Sequence, residues 1–251
     1  MMNEFESGLV YNFEKLGCKG LAEKLSDIFS STHVRDYDLL SVLTAATSQE
    51  IVRIKQAKAE RLLRQASLFD TYANIDLLEY MPERNIDKML MDRLCSCAYI
   101  DEAANVIVTG AAGTGKSFIA RALGVQACNE GFRTRIFNLR ALLKDLELRD
   151  KAGDDVYEKR LRYLSRIPLL ILDEWFACSP TKTELVFLHE LIDSRYGRHA
   201  TIVCSQMPSE HWAQYCPNKA LSESISGRIL AHCYCIRLEG EDMRKTHFER
   251  P

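Results

Sequence analysis

The segment GAAGTGKS, residues 110–117, has the glycine, lysine and hydroxyl spacing of a loop that binds nucleotide phosphates. Its glycines let backbone N–H groups turn inward around phosphate oxygens, and the helix predicted to follow adds partial positive charge at its N-terminus. Lys116 should reach the β- and γ-phosphates, and the Ser117 hydroxyl should bind Mg²⁺. The residues predicted to bind the nucleotide are Gly110, Ala111, Ala112, Gly113, Thr114, Gly115, Lys116, Ser117 and Phe118.

Two carboxylates follow an apolar run in LLILDE, residues 169–174. Four consecutive apolar residues are typical of a strand that is covered on both faces of a parallel sheet. Asp173, at the carboxyl end of this strand, should bind Mg²⁺ or its water. Glu174 can polarise an attacking water, which favours nucleotide hydrolysis over phosphoryl transfer to a metabolite.

Two further kinds of polar group are candidates for contact with the γ-phosphate. The run TIVCSQ ends in Ser205 and Gln206, where a polar side chain can hydrogen-bond the attacking water or the phosphate. Arg228 and Arg244 each carry a guanidinium that suits the charge developing on a phosphoryl group, although an arginine of this kind, taken alone, is more often a surface salt-bridge residue. The predicted catalytic residues are Lys116, Asp173, Glu174, Ser205, Gln206, Arg228 and Arg244.

The spacing of apolar positions predicts the elements that position these groups. Short β-branched runs alternate with helical patterns, which predicts βαβ units, a parallel sheet and ligands at the carboxyl ends of the strands. The predicted strands are 105–110, 135–139, 169–174, 201–206 and 233–240. Residues 1–65 show helical spacing without strand signals, so we predict a small helical N-terminal module before an α/β domain at 66–251.

Composition narrows the class of protein. A hydrophobic fraction of 47% and a charged fraction of 27% are typical of a globular protein, and no apolar run approaches the ~20 residues that span a bilayer. The N-terminal residues are acidic and lack the pattern of a secretory signal, so a cytoplasmic location is expected. The nine scattered cysteines include no C-x-x-C pairs at zinc-site spacing, which favours reduced thiols over a metal site or a disulfide framework.

Taken together, the motifs resemble those of the AAA+ ATPases of the initiator and loader branch. The sequence is most similar to the IstB-like transposition helper ATPases, which are related to the bacterial helicase loader DnaC. The resemblance runs from roughly Lys55 to Lys245. It is carried by GAAGTGKS, RIPLLILDEW, LIDSRYGRHATIVCSQMPSEHW and SGRILAHCYCIRLEGEDMRK. It implies a three-layer nucleotide-binding domain with a five-stranded parallel sheet.

The resemblance also implies roles for individual residues. Arg228 matches the arginine finger, which is aimed at the ATP of a neighbouring subunit, although Ser226 and Gly227 stand before it where relatives often have an aspartate. Arg244 matches a sensor arginine that acts on ATP in its own subunit. Ser205-Gln206 matches a second sensor position, and which of the two side chains senses stays open. Arg195 matches an arginine that either faces a neighbour or braces its own helix.

The function implied by the resemblance is ATP-dependent assembly of several subunits on duplex DNA. Such an assembly works with the transposase of the same insertion sequence, selects target DNA and stimulates integration. The N-terminal module would contact the transposase or brace adjacent subunits. Basic residues predicted to meet DNA phosphates, with salt-sensitive binding, are Arg133, Arg135, Lys144, Arg149, Arg160 and Arg162.

Two other functions remain open at this point. A loader that binds a replicative helicase would use the same catalytic residues, so only the N-terminal module and the partner distinguish it. A monomeric nucleotide or metabolite kinase is the third possibility. The Asp173-Glu174 pair, the polar strand end and an arginine acting from a neighbouring subunit all disfavour it.

Overall fold

The computed structural model describes residues 2–31, 38–69 and 71–243. The chain divides into two compact units, Met1–Arg61 and Leu62–Pro251. The predicted boundary after residue 65 falls inside a helix, since α3 continues to Ala66. In the described part of the chain, no helix is long and apolar enough to cross a membrane.

The first unit is built from α1 (Glu4–Lys15), α2 (Lys19–Ser30) and most of α3 (Leu39–Ala66). Leu21 and Leu25 pack with Ala46 in its core. Cys18 precedes α2 without offering a side-chain cap, and the Glu50 carboxylate on α3 accepts the N–H groups of residues 20 and 21 instead. The guanidinium of Arg53 hydrogen-bonds the same carboxylate and lowers the pKa of Glu50.

The second unit contains a sheet whose five strands are all parallel, in the order β2-β3-β4-β1-β5. The strands are β1 (Asn105–Gly110), β2 (Thr134–Asn138), β3 (Leu169–Asp173), β4 (Ala200–Ser205) and β5 (Cys233–Leu238). Every strand lies within two residues of its predicted limits. The prediction of a five-stranded parallel α/β sheet is therefore confirmed.

Helices cover both faces of this sheet. Leu169 and Ile171 pack in one hydrophobic cluster and Leu170 and Leu172 in another, because successive side chains of a strand point to opposite faces. The helices of this unit are α4 (Lys88–Cys95), α5 (Ala98–Asp101), α6 (Lys116–Asn129), α7 (Leu139–Lys151), α8 (Asp154–Ser165), α9 (Lys182–Arg195), α10 (Trp212–Tyr215) and α11 (Lys219–Leu230). Short 3₁₀ turns lie at Ile75–Leu77, Pro82–Arg84 and Ser209–His211.

The nine cysteines are free thiols in this structure. Within the described residues, no group of three or more His, Cys, Asp or Glu side chains is arranged to hold a metal ion. Cys204 is fully buried in β4, and burial raises the pKa of its thiol. It therefore acts as a small core residue.

Candidate nucleotide-binding site

The phosphate loop connects β1 to α6. Gly115 precedes the first helical residue with φ +95°, and Gly113 has φ +79°, both in the region that favours glycine. At Gly110 a Cβ atom would lie 2.5 Å from the Leu238 carbonyl oxygen, so only glycine fits there. Lys116 Nζ donates to the Ala111 carbonyl at 2.6 Å, which folds the lysine over the loop. The conformation of this loop therefore depends on glycine at positions 110, 113 and 115.

Ser117 and Asp173 are adjacent at the carboxyl ends of the strands. The Ser117 hydroxyl donates to Asp173 Oδ1 at 3.1 Å, although the two residues come from α6 and β3. The same carboxylate oxygen accepts the backbone N–H of Glu174 at 2.9 Å. A hydroxyl and a carboxylate side by side are oxygen donors of the kind that Mg²⁺ prefers, so these residues fit that ion.

Glu174 follows β3 with φ +58°, which turns its exposed side chain away from the strand direction. Its Oε2 accepts a hydrogen bond from Asn138 Nδ2. Asn138 ends β2 opposite Asp173 in the parallel register, and its Oδ1 also accepts the Ala141 N–H at 3.1 Å as the N-cap of α7. One side chain therefore connects the predicted water-activating carboxylate to the start of a helix.

Sequence reasoning missed Asn138. A signal was present, since a polar residue ends a strand and stands directly before a helix, where asparagine is a favoured N-cap. The register of β2 against β3, which brings this residue to Glu174, cannot be read from the sequence.

Ser205 and Gln206 differ in what their side chains can do. The Ser205 hydroxyl is buried, donates to the Trp175 carbonyl at 3.1 Å and accepts the Met207 N–H and the Trp212 indole N–H. These bonds hold the hydroxyl inside the core, with its donor and acceptor positions in use. Gln206 is exposed at the carboxyl end of β4 and is the member of the pair that is available to a ligand.

Arg228 lies at the edge of the sheet opposite the phosphate loop. It lines a cavity of about 110 Å³ together with Asn105 and Thr201, which stand at the amino ends of β1 and β4. Its guanidinium pairs with Asp193 at 2.7 Å. Since β1 rises about 3.3 Å per residue, its five steps separate this cavity from Gly110 by roughly 17 Å. Arg228 is therefore remote from the loop of its own subunit.

Arg195 braces its own unit. Its side chain is 1% exposed and donates to Thr201 Oγ1 and to the carbonyls of residues 164, 167 and 200. Burial lowers the pKa of Arg195 to about 9, so the guanidinium stays charged at neutral pH. Of the two roles that the sequence left open, these bonds support the brace.

Arg244 lies outside the described residues. The chain nevertheless reaches the phosphate loop one residue earlier, where the Met243 N–H donates to the Gly113 carbonyl at 3.0 Å. A Cβ atom on Gly113 would overlap the Asp242 carboxylate. The segment that follows β5 therefore packs directly against the phosphate loop.

The residues predicted to contact DNA have different surroundings. Arg149 and Arg160 both pair with Asp145 at 2.9 Å, and Arg160 also lies over the ring of Phe137, so these two arginines hold α7, α8 and β2 together. Arg162 lies 3.9 Å from Glu158 on an exposed helix face.

Of the other members of that set, Arg133 directly precedes β2, Arg135 lies on β2 and Lys144 lies on α7. Arg133 donates to the Arg166 carbonyl at 2.8 Å, and Arg135 lies over the Tyr163 ring at 5.9 Å. Lys144 is exposed on α7 and lines a cavity of about 290 Å³ with Arg140 and Glu174. Arg140, which is not among the residues predicted to contact DNA, thus shares a cavity with Glu174.

Comparisons with known proteins agree with this geometry. Residues 12–250 match the family described as IstB-like ATP binding protein. An insertion-sequence ATP-binding protein of Sinorhizobium fredii is 29% identical over 92% of this chain and 93% of its own length. The ATP-binding protein of insertion sequence IS1162 from Pseudomonas fluorescens is 31% identical, over 76% and 81% of the two chains. That of IS232 from Bacillus thuringiensis is 25% identical over 100% and 99%.

Solved structures share the fold. DnaI aligns with a TM-score of 0.55 at 16% identity, over 73% of this chain and 92% of its own. The DnaC helicase loader aligns with a TM-score of 0.53 at 18% identity, over 66% and 97%. DnaA from Aquifex aeolicus, solved with AMPPCP, aligns with a TM-score of 0.55 at 16% identity, over 72% and 55%. At such identities the likeness concerns the fold alone, and the predicted AAA+ fold is confirmed.

Proposed function

The chain belongs to the IstB-like ATP-binding family, and from this membership we propose that it is an ATPase that serves transposition of an insertion sequence. In this proposal several subunits assemble on duplex DNA with ATP at their interfaces. The assembly selects or remodels target DNA and stimulates the transposase of the same insertion sequence. The observation that carries the proposal is the separation of two half-sites within one subunit, the phosphate loop at one edge of the sheet and Arg228 at the other.

The first half-site binds and hydrolyses ATP. Lys116, which now donates to a loop carbonyl, would exchange that partner for the β- and γ-phosphates. Ser117 and Asp173 would hold Mg²⁺, which neutralises charge on the phosphates when it is bound. Glu174 would orient the attacking water and accept its proton. Gln206 would hydrogen-bond the γ-phosphate or that water from the end of β4.

The second half-site completes the ATP site of a neighbour. The Arg228 guanidinium is partly exposed and its counter-ion is a single aspartate on the surface, so a γ-phosphate can compete for it at small cost. An arginine supplied in this way can raise the hydrolysis rate by ~10³–10⁵. Arg244 would act on ATP in its own subunit, because the chain just before it is hydrogen-bonded to the phosphate loop.

DNA would bind to the face that carries α7 and α8. Arg140 and Lys144 are the basic residues there that lie next to Glu174, and Arg133, Arg135 and Arg162 extend the basic surface. Arg149 and Arg160 already share a carboxylate, so we assign them to the support of this face. The helical N-terminal module would contact the transposase or an adjacent subunit.

Mixing two inactive variants tests the composite site. Lys116→Ala should lose nucleotide binding, and Arg228→Ala should bind ATP but hydrolyse it slowly. In a mixture, the first variant supplies Arg228 to the intact phosphate loop of the second, so ATPase activity should return. Recovery should grow with total protein concentration. Two variants that both lack Arg228, Arg228→Ala and Lys116→Ala/Arg228→Ala, form the matched control and should not recover. Absence of recovery in the first mixture would reject the composite site.

The Glu174→Gln variant tests hydrolysis and the DNA partner together. It should bind ATP, fail to turn it over and accumulate as an ATP-bound assembly. Electron microscopy with ATP, with and without duplex DNA, should show assemblies that form on the duplex. Normal turnover would reject Glu174 as the water-activating residue. A different result would favour a helicase loader over a transposition protein. In that case the assemblies would form independently of duplex DNA, and a pull-down would recover a hexameric helicase.

A further inference from the structure

Arg84 is a buried arginine that touches the phosphate loop from outside the motif. It ends the 3₁₀ turn Pro82–Arg84 in the segment between α3 and α4, residues 67–87, which we call the connector. Its side chain is 6% exposed. Its Nη1 donates to the Glu79 carbonyl at 3.0 Å, and its Nη2 donates to the Thr114 carbonyl at 3.2 Å. The guanidinium therefore lies behind the loop, on the peptide that leads into α6.

The contact with the loop is close. A Cβ atom on Gly115 would lie 2.8 Å from Arg84 Nη2, so the glycine at this position makes room for the guanidinium as well as for the turn. Gly115 is the residue directly before Lys116. The positive charge of Arg84 is thus adjacent to the N–H groups that would surround the phosphates.

The hydrogen bonds that the structure shows for the Arg84 guanidinium go to neutral carbonyl groups, and its Nε is buried without a hydrogen-bond acceptor. Burial lowers the pKa of Arg84, and the negative charge of Glu79 opposes part of that shift. A buried charge whose hydrogen bonds go to neutral carbonyl groups is costly, and a further anion nearby offsets that cost. Beside a phosphate loop, the nucleotide is the anion that fits.

The same residue joins three segments of the chain. The Arg84 carbonyl accepts the Glu239 N–H at 3.2 Å, and Asn85 Nδ2 donates to the Arg237 carbonyl at 3.2 Å. The connector is thereby attached to the end of β5 and to the segment that continues to Met243 on the loop.

We propose that Arg84 is a positioning residue for the nucleotide. Its guanidinium supplies positive charge to the bound phosphates from behind the Thr114–Gly115 peptide. The proposal rests on the proposed binding of ATP at the phosphate loop. The charge of Arg84 favours phosphate entry, and the bound phosphates in turn stabilise the packing of the connector and the segment after β5. Its role is in nucleotide affinity and not in the water-activating step.

A charge series at this position tests the proposal. Arg84→Gln keeps an amide donor for the carbonyls but removes the charge, whereas Arg84→Lys keeps the charge. We expect Arg84→Gln to weaken ATP and ADP binding by about tenfold or more, and Arg84→Lys to restore most of it. The dependence of log Kd on log salt concentration should also become shallower in Arg84→Gln. The exposed Arg198, changed to Gln, is the control for loss of an arginine charge on the opposite edge of the sheet.

The outcomes separate this inference from the function beneath it. Wild-type affinity in Arg84→Gln would overturn the charge role, as would equal losses in the Gln and Lys variants. The thermal unfolding midpoint of Arg84→Gln is measured without nucleotide. If the stability lost in that variant accounts for its whole loss of ATP affinity, the role of Arg84 is structural. A wild-type protein that binds no ATP, or a Lys116→Ala variant that binds it normally, would instead reject the proposed nucleotide site itself.

Discussion

Removal of the hydrogen bond between Asn138 and Glu174 should raise the basal ATPase rate. The Asn138 amide nitrogen donates to the Glu174 carboxylate while its oxygen caps α7. A carboxylate held in this way is turned toward β2, and one of its oxygens is occupied by the amide N–H. Asn138→Asp keeps an oxygen to cap the helix but replaces the donor with a second carboxylate, so it releases Glu174 while α7 stays capped.

The size of the effect follows from the exposure of the two side chains. A buried hydrogen bond to a charged group contributes about 1.5–3 kcal/mol, but Asn138 and Glu174 are both exposed, so about 0.5–1 kcal/mol is appropriate. That free energy corresponds to a two- to fivefold change in the fraction of Glu174 that is free, at roughly 1.4 kcal/mol per factor of ten. Asn138→Ala should in addition lose about 1 kcal/mol of stability with the helix cap.

The assay is steady-state ATP hydrolysis without DNA, at saturating ATP and at a fixed protein concentration. Urea unfolding measures the stability of each variant, and ATP affinity is measured separately in a Glu174→Gln background. The matched control is Asn3→Ala, which removes an asparagine cap of the same chemistry from α1. Its basal rate should equal that of the wild type.

Either of two results would refute the reasoning. The first is a basal rate in Asn138→Asp at or below that of the wild type while ATP affinity is unchanged, because Glu174 would then need its amide partner. The second is an equal rise in Asn3→Ala, which would trace the effect to general loosening of the fold.

Three further predictions concern residues around the loop and the sheet. Ser205→Ala should cost about 1–3 kcal/mol in urea unfolding, because it removes three hydrogen bonds and leaves the Met207 N–H without its acceptor, whereas Gln206→Ala should lower kcat with little change in stability. Arg195→Met should destabilise the fold by roughly 3 kcal/mol or more, because it removes four buried hydrogen bonds, and the loss should be the same at every protein concentration tested. Gly113→Ala should weaken ATP binding, because its φ of +79° costs a residue with a Cβ about 1–2 kcal/mol and the added methyl group displaces Asp242. A Gly113→Ala variant with wild-type Kd would contradict the close packing of that segment.

The nearness of Ser117 and Asp173 was predictable because each motif carries its own structural context. A glycine loop between a strand and a helix, and an acidic pair after a buried strand, both lie at the carboxyl edge of any parallel sheet. Although β4 lies between β1 and β3, the first turn of α6 brings Ser117 to the end of β3. The observed distance of 3.1 Å between the two oxygens agrees with that reasoning.

The hydrogen-bond partners of three residues could not be predicted from the sequence, and the reason is the same for Ser205, Asn138 and Arg84. Periodicity says which residues are buried, but the partner of a buried polar group depends on register and on packing between distant segments. Ser205 is held by Trp175, which follows β3, and by Trp212, which begins α10, and Arg84 meets Thr114 across 30 positions of the chain. The motif position predicts a sensor role for Ser205 or Gln206, and only the hydrogen bonds show that the Ser205 hydroxyl lies in the core.

The cap of α7 gives the proposed DNA-binding face a direct connection with hydrolysis. Because Asn138 uses one end of its amide for the Ala141 N–H and the other for Glu174, a shift of the start of α7 must change the geometry of the second bond. Arg140 and Lys144 lie in the first two turns of that helix and line the same cavity as Glu174. Phosphates bound there would act on the water-activating carboxylate without touching ATP. A protein that works in this way should lose its response to DNA when Glu174 is already free, so duplex DNA should accelerate hydrolysis by the wild type and leave the raised rate of Asn138→Asp unchanged.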